Sequence, residues 1–220
     1  MLPTAEVRWF SKGDIPQTAL QRFKSGELPQ DKGAVEERKD LYLCLPGVDR
    51  LGIKLRGTSI RREIGTDQLE IKRRQLEGSV VTFFPGVTGR LERWSKWVFH
   101  GEPSDPQLST ILAARDGVWV SVGKVRYTRR YKVTGDKRVL AMPLNEWPDN
   151  GCNVELTKVI APGGQVWWTL GLEAFGEADV AIEDNLRLSA NHFFAESGLS
   201  MFEERDSYGY PRWLNVVILE

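Results

Sequence analysis

Apolar and polar residues alternate along most of this chain, in short runs closed off by Gly, Pro and Asp. Such runs cover residues 4–10, 39–45, 51–56, 69–74, 79–84, 90–99, 118–132, 138–142, 152–160, 165–175 and 215–219. A period of two marks a strand with unlike faces, so the pattern predicts about ten strands with turns between them. Gly163-Gly164 reads as one of those turns. Helical spacing is rarer. Residues 16–24 put Ala19, Leu20 and Phe23 on one face behind Asp14 as a cap, and 106–115 is a second candidate. Residues 185–197 align Leu186, Ala190 and Phe193 ahead of Gly198 as the stop. Loops are expected at 101–105, 145–151 and 26–37, the last being long, charged and read as a mobile flap. The chain is thus expected to be α+β and mainly β, an antiparallel closed or nearly closed β-barrel with peripheral helices. No repeat or Ser/Gly linker divides it, so residues 1–220 are read as a single domain.

Several of these strands carry two basic residues two positions apart: Lys54 and Arg56, Lys72 and Arg74, Lys124 and Arg126, while Glu6 and Arg8 form a mixed version. Residues i and i+2 of a strand share a face, so each pair aims both charges at one place. Inside a barrel they would line a cationic lumen, which is unfavourable without an anionic partner. On an open sheet the same alternation would set Leu51, Ile53 and Leu55 on the core and leave Lys54 and Arg56 in water. Periodicity fits both. In the run 118–132, Val118, Val120 and Val122 share parity with Lys124 and Arg126, a mixture that a bulge at Gly123 would separate.

Lys plus Arg and Asp plus Glu both number 30, so no global field draws in nucleic acid or anionic lipid. An anion site has to come from local clustering, and the partner expected is a small polyanion, with nucleic acid not specifically indicated. The opening MLPTAEVRW lacks the basic and apolar regions of a leader, and no window approaches the ~20 apolar residues of a membrane span. No membrane partner and a cytoplasmic location are expected. Cys44 and Cys152 lie in apolar segments and read as buried reduced thiols. His100 and His192 are far apart and read as structural, and no glycine phosphate loop, nucleophile elbow or zinc spacing is present. Trp94, Trp97, Trp167 and Trp168 could stack on a ligand ring, but adjacent strand positions face opposite ways, so at least half of them belong to the core.

The spaced pairs resemble those of the CYTH, or triphosphate tunnel, superfamily. Its members open on a strand with E-x-E-x-K, carry paired basic residues on internal strands, then K-x-R-x-x-Y, and a late E-x-E. Here the opening reads Thr4, Ala5, Glu6, Val7, Arg8, and the internal pairs are Lys54 with Arg56 and Lys72 with Arg74. KVRYTRRY supplies Lys124, Arg126, Arg130 and Tyr131, and the late motif keeps Glu173 while Gly171 takes the first carboxylate position. An acidic residue expected on the preceding strand falls near Thr157, with Glu155 two residues earlier on the same face. The segments LSANHFFAESGLSMF and RDSYGYPRWL are similar to the family's closing helix, Gly-Leu turn and Ser-Tyr element.

The resemblance implies a barrel of the triphosphate-tunnel type that binds inorganic triphosphate, a nucleoside triphosphate or thiamine triphosphate and hydrolyses it with Mg²⁺ or Mn²⁺. By it, Arg8, Lys54, Arg56, Lys72, Arg74, Lys124, Arg126 and Arg130 would hold phosphates, where the arginine fork and the compact lysine charge suit phosphate oxygens. Glu6 and Glu173 would be catalytic, and Glu6, Glu173 and Glu155 would hold the metal, with Glu70 as a further substitute. Thr4, Thr157 and Gly171 thin that acidic set. Three readings stay open: a metal-dependent triphosphatase, a phosphate-ligand binding protein without turnover, and a lumen in which Glu6, Glu70, Glu155 and Glu173 pair off the bases.

Overall fold

The computed structural model describes residues 2–26, 28–31, 35–58, 67–101, 119–177 and 179–219. In chain order the elements are β1 (Leu2–Lys12), α1 (Gln17–Ser25), β2 (Val35–Leu43), β3 (Leu51–Thr58), β4 (Asp67–Phe84), β5 (Val87–Gly101), β6 (Trp119–Val133), β7 (Val139–Met142), β8 (Gly151–Ile160), β9 (Val166–Phe175), α2 (Asp179–Ser197) and α3 (Tyr210–Leu219). Strands β2-β3-β4-β5-β1-β9-β8-β6 hydrogen-bond in that order, and β6 returns to β2. Every strand of this antiparallel ring therefore has two neighbours, which removes the unpaired edge that an open sheet would expose. β7 lies outside the ring and pairs with β6 from Arg130 to Val133, beyond Tyr127 where the β2 pairing ends.

Closure turns the alternation of the sequence into an inside and an outside. On β1, Ala5, Val7 and Trp9 face out and are buried, while Glu6, Arg8 and Phe10 face in. The outward set packs with Ile182, Leu186, Ala190, Phe193 and Phe194 of α2, an i, i+4, i+8 stripe that is wholly buried. Trp9 anchors this layer: its ring lies 6.1 Å from Phe83, 6.0 Å from Phe194 and 5.3 Å from Phe202, and its Nε1 donates to the Thr88 carbonyl at 2.8 Å. α2 stops where Gly198 takes a φ of 63°, and the Gly198 N–H donates to the Phe194 carbonyl at 3.0 Å.

α3 fills one end of the lumen. Trp213, Leu214 and Val217 pack with Phe10, Tyr42, Val122, Val159 and Trp167. The ring of Trp213 stacks on Phe10 at 5.4 Å and meets Trp167 edge-on at 6.3 Å. The parity problem on β6 is solved by depth along the barrel, without a bulge at Gly123, since the pairing of β6 with β2 runs through it unbroken and that with β8 begins there in register. Val120 and Val122 meet the apolar plug, and Lys124 and Arg126 lie farther along the same face.

Four expectations need correction. Residues 215–219 end a helix: a short apolar run does not tell strand from helix, and Pro211 in the first turn marks a helix start. The runs 69–74 and 79–84 are one strand, β4, whose pairing with β5 shifts register between Arg74 and Ser79. Residues 35–37 of the supposed flap already belong to β2, with a 3₁₀ turn at Pro29–Asp31 ahead of it. Asp14 does not cap α1, which follows Pro16 without a side-chain cap; its carboxylate accepts from Lys158 Nζ at 2.8 Å instead. The helix expected at 106–115 lies outside the described residues. Cys44 and Cys152 are free and buried. Among the described residues no helix is long and apolar enough to cross a membrane.

Because Trp213 is fully buried at the centre of the plug, Trp213→Ala is expected to destabilise the barrel by about 3–5 kcal/mol. Urea unfolding followed by circular dichroism would read this as a lowered midpoint with a native baseline retained.

Candidate functional site

Inward side chains from all eight ring strands converge on one cavity of about 90 Å³, several times the ~10–15 Å³ that a single water needs. Eight basic and five acidic residues line it. The charges are partly sorted around the ring. Adjacent strands β8, β9, β1 and β5 bring Glu155, Glu173, Glu6 and Glu92 together with Arg8 and Lys96, whereas adjacent strands β6, β2, β3 and β4 bring Lys124, Arg126, Arg38, Lys54, Arg56 and Lys72 together with Glu70. Register sets like beside like: Glu6 is the Cα partner of both Glu173 and Glu92, Lys72 of Lys96, and Arg38 of Lys124. Such neighbours repel, and opposite charges elsewhere in the lumen relieve them. Lys72 Nζ lies 2.6 Å from Glu6 Oε1, Arg8 3.0 Å from Glu155, Arg126 2.5 Å from the other Glu155 oxygen, and Lys124 2.9 Å from Asp40. Arg126 also pairs with Glu36, and Arg38 lies 2.6 Å from Glu36 and 3.1 Å from Asp40.

These pairs do not balance everywhere. Glu70 faces three cations, Lys54 and Arg56, each at 2.8 Å, and Lys96 at 3.9 Å. Arg56 Nε is out of line for a hydrogen bond despite that distance. Burial would raise the Glu70 carboxyl, but Lys54, Arg56 and Lys96 outweigh it and hold it at about 2. Burial, with Arg56 beside it, pushes the Lys54 ammonium well below the ordinary lysine range. Burial likewise brings Lys124 down to about 8, with Arg38 and Arg8 adding to it and Asp40 opposing. Ammonium groups held down in this way gain from any anion that enters. The floor is Gly209 to Pro211 at the start of α3. Lys124 Nζ sits 4.0 Å from the centre of the Tyr210 ring and 4.8 Å from that of Tyr42, and the Arg8 guanidinium 5.1 Å from Tyr210.

Twelve residues singled out in the sequence meet in this cavity: Glu6, Arg8, Lys54, Arg56, Lys72, Lys124, Arg126, Glu155 and Glu173, with Glu70, Trp94 and Thr157 beside them. Glu155 faces inward with Glu173. Arg74 and Arg130 stand apart from the lining. Arg74 is tied to Glu92 at 2.6 Å and Asp49 at 2.8 Å. Arg130 donates to Asn153 and to the carbonyls of Leu144 and Glu146, with its guanidinium 3.5 Å from the centre of the Trp147 ring. Arg38, Asp40 and Tyr42 were missed although Arg-x-Asp-x-Tyr is itself an alternation and Asp40 and Tyr42 lie in the run 39–45 read as a strand, because that run carries no pair of basic residues two positions apart. Glu92 and Lys96 carried the same alternation on β5. Tyr210 carried none, because its place depends on where α3 folds back.

The Mg²⁺ or Mn²⁺ implied by the resemblance needs several hard oxygen donors around one point. Glu6 and Glu173 are side by side, but Lys72 Nζ stands between them, 2.6 Å from the first and 3.4 Å from the second. Burial opposes the charge of Lys72, yet Glu173 and Glu6 raise its pKa above the ordinary lysine value. Thr4 Oγ1 donates to the same Glu6 oxygen at 2.7 Å. Glu155 is held by Arg8 and Arg126, which overcome its burial and keep it well below the usual carboxylate range. Among the described residues no three His, Cys, Asp or Glu side chains gather as metal ligands. The donor set present therefore does not fit a divalent ion. Gly171 has a physical reason of its own: a Cβ there would fall 2.4 Å from the Arg8 guanidinium carbon. Its Cα partner on β8 is Glu155, so a carboxylate stands one strand over and Arg8 fills the space above the glycine.

No family model matches the sequence, and no curated protein matches it. Among solved structures, the monoclinic form of the mimivirus capping enzyme triphosphatase superposes with a TM-score of 0.50 at 13% identity, over 90% of this chain and 90% of that one. The triclinic form of that enzyme gives 0.49 at 11% identity, over 90% and 91%. Eight antiparallel strands closed around a charged lumen, together with this overlap, show that the chain has the triphosphate-tunnel fold.

Proposed function

We propose that the protein binds the triphosphate group of a small ligand in the barrel lumen. The observation that carries this is the crowding of positive charge in the lumen, where Lys54 and Arg56 of β3 and Lys96 of β5 share Glu70 and two lysines are held down by burial. A chain of phosphates would supply the missing negative charge. Thr157 Oγ1, which lines the cavity and has no hydrogen-bond partner, offers a further donor. Inorganic triphosphate, nucleoside triphosphates and thiamine triphosphate are the ligands proposed.

Hydrolysis is the second reading, and the overlap with a capping enzyme triphosphatase favours it. Against it stands the engagement of Glu6, Glu155 and Glu173 by Lys72, Arg8 and Arg126, which leaves none of the three free to act as a base. Phosphate release from tripolyphosphate, ATP and thiamine triphosphate, measured with Mg²⁺, Mn²⁺ or EDTA, separates the readings: turnover lost in Glu173→Gln supports the enzyme, and binding without turnover supports the ligand carrier.

Lys54→Met is expected to weaken tripolyphosphate binding by about 10- to 100-fold, the scale of one charge-assisted hydrogen bond. Its cost to stability should be well under the about 3–5 kcal/mol of an orphaned buried charge, because Glu70 keeps Arg56 and Lys96. Calorimetric titration beside thermal unfolding checks both. A large loss of stability with no ligand binding to lose would establish the reading in which the lumen is only a set of structural ion pairs.

The protonation of Lys124 adds a pH signature. Its folded value of about 8 lies below the ordinary 10.5, so the folded state holds fewer protons between those values. Folding stability should accordingly rise with pH across that window while tripolyphosphate affinity falls. Both slopes should flatten in Lys124→Met, as read by thermal unfolding and titration at pH 7 to 10.5.

A further inference from the structure

The acidic side of the lumen already holds a cation, and that cation belongs to the chain. We infer that the Lys72 ammonium stands where a divalent ion would bind, so that ligand binding in this protein is independent of metal. This rests on the lumen being a phosphate site, as proposed above.

Three observations meet at the same place. Glu6 and Glu173 are register partners on β1 and β9, the arrangement that would let two carboxylates grip one ion, and Lys72 Nζ contacts both from β4 across the barrel. Thr4 gives a second donor to the Glu6 oxygen that Lys72 holds. That oxygen thus receives two donors from the chain itself, where a metal ligand would offer its lone pairs outward. At position 171 the guanidinium of Arg8 occupies the space that a Cβ would need, so a further oxygen could join the pair from β9 only by displacing it. Each of the acidic positions that would build a metal site is thereby matched by a basic or hydroxyl group of this chain. An ion entering between Glu6 and Glu173 would have to displace Lys72 and then sit beside its charge. A lysine is a compact point charge with three donors, enough to bridge two carboxylates and still donate to a phosphate oxygen.

The test is Mn²⁺ binding to the ligand-free protein, followed by electron paramagnetic resonance, beside tripolyphosphate titrations in EDTA and in Mg²⁺. Wild type is expected to bind no Mn²⁺ in the micromolar range, and to bind tripolyphosphate at least as tightly in EDTA as in Mg²⁺, which competes for the phosphates. Lys72→Met should acquire Mn²⁺ binding that Glu173→Gln removes again, and its tripolyphosphate binding should become tenfold or more tighter when Mg²⁺ is added. Lys72→Arg, which keeps the charge, should bind no Mn²⁺. Mn²⁺ bound by wild type and lost in Glu173→Gln would overturn the inference, as would a tenfold tightening of wild-type tripolyphosphate binding by Mg²⁺. Should wild type bind no tripolyphosphate while the Mn²⁺ results come out as expected, the proposed function fails and the role of Lys72 stands. If Lys72→Met does not fold, the wild-type and Lys72→Arg results decide alone.

Discussion

Enclosed charge has to be neutralised, and this requirement governs the inner face of the barrel. Closing eight strands sends every second side chain into a space with little water, where an unpaired ion is far more costly than at a surface. The chain meets the requirement in two ways along one axis. At the end reached by α3 it avoids charge, with Phe10, Val122, Val159 and Trp167 packed around Trp213. Beyond that plug it lines the wall with bases and acids that reach across to one another. The boundary falls within single strands, between Val122 and Lys124 on β6 and between Arg8 and Phe10 on β1.

Stability and chemistry are thereby assigned to opposite faces of the same strands. Ala5, Val7 and Trp9 of β1 join the layer under α2, which has the directionless, area-proportional stabilisation of an apolar core. Glu6 and Arg8, one residue along in each case, contribute charge whose burial is at best balanced by pairing. A lumen in which cations crowd around shared carboxylates is tolerated because the outer layer holds the wall in shape. The three-to-one crowding around Glu70 is the plainest instance of that tolerance.

Much of this was legible in the sequence, because a strand writes its two faces in alternate letters. Lys54 with Arg56 and Lys124 with Arg126 could be placed on common faces without knowing the fold, and closure of the ring then decided between lumen and solvent. What could not be read depended on contacts distant in sequence. The apolar run ending at Leu219 is a helix because it fills a hole made by β1, β2, β6, β8 and β9. The break at Gln75–Gly78 did not end a strand, because β5 continues to pair on both sides of it. Arg130 has the spacing of a phosphate ligand, yet the carbonyls of the loop after β7 and the face of Trp147 hold it. Spacing gives direction along one strand and says nothing of what competes for the side chain at its end.

Thr4, Gly171 and Arg8 make more sense as one set than taken singly. Thr4 supplies a donor to Glu6. Gly171 removes a side chain, and the vacated volume is filled by Arg8, whose own partner Glu155 lies directly across on β8. Restoring a carboxylate at 171 alone would drive it into the Arg8 guanidinium carbon, 2.4 Å from where its Cβ must stand. Placing one at 4 alone would add a negative charge beside Glu6, which already has Glu92 and Glu173 as register partners, while taking away a hydrogen bond. Neither change is accommodated without the other groups moving, which is the property of a packed ionic arrangement. The coupling runs through Arg8 and Lys72: each reaches a carboxylate on another strand, so the negative charge that balances the cations of the lumen is supplied from whichever strand comes within their reach.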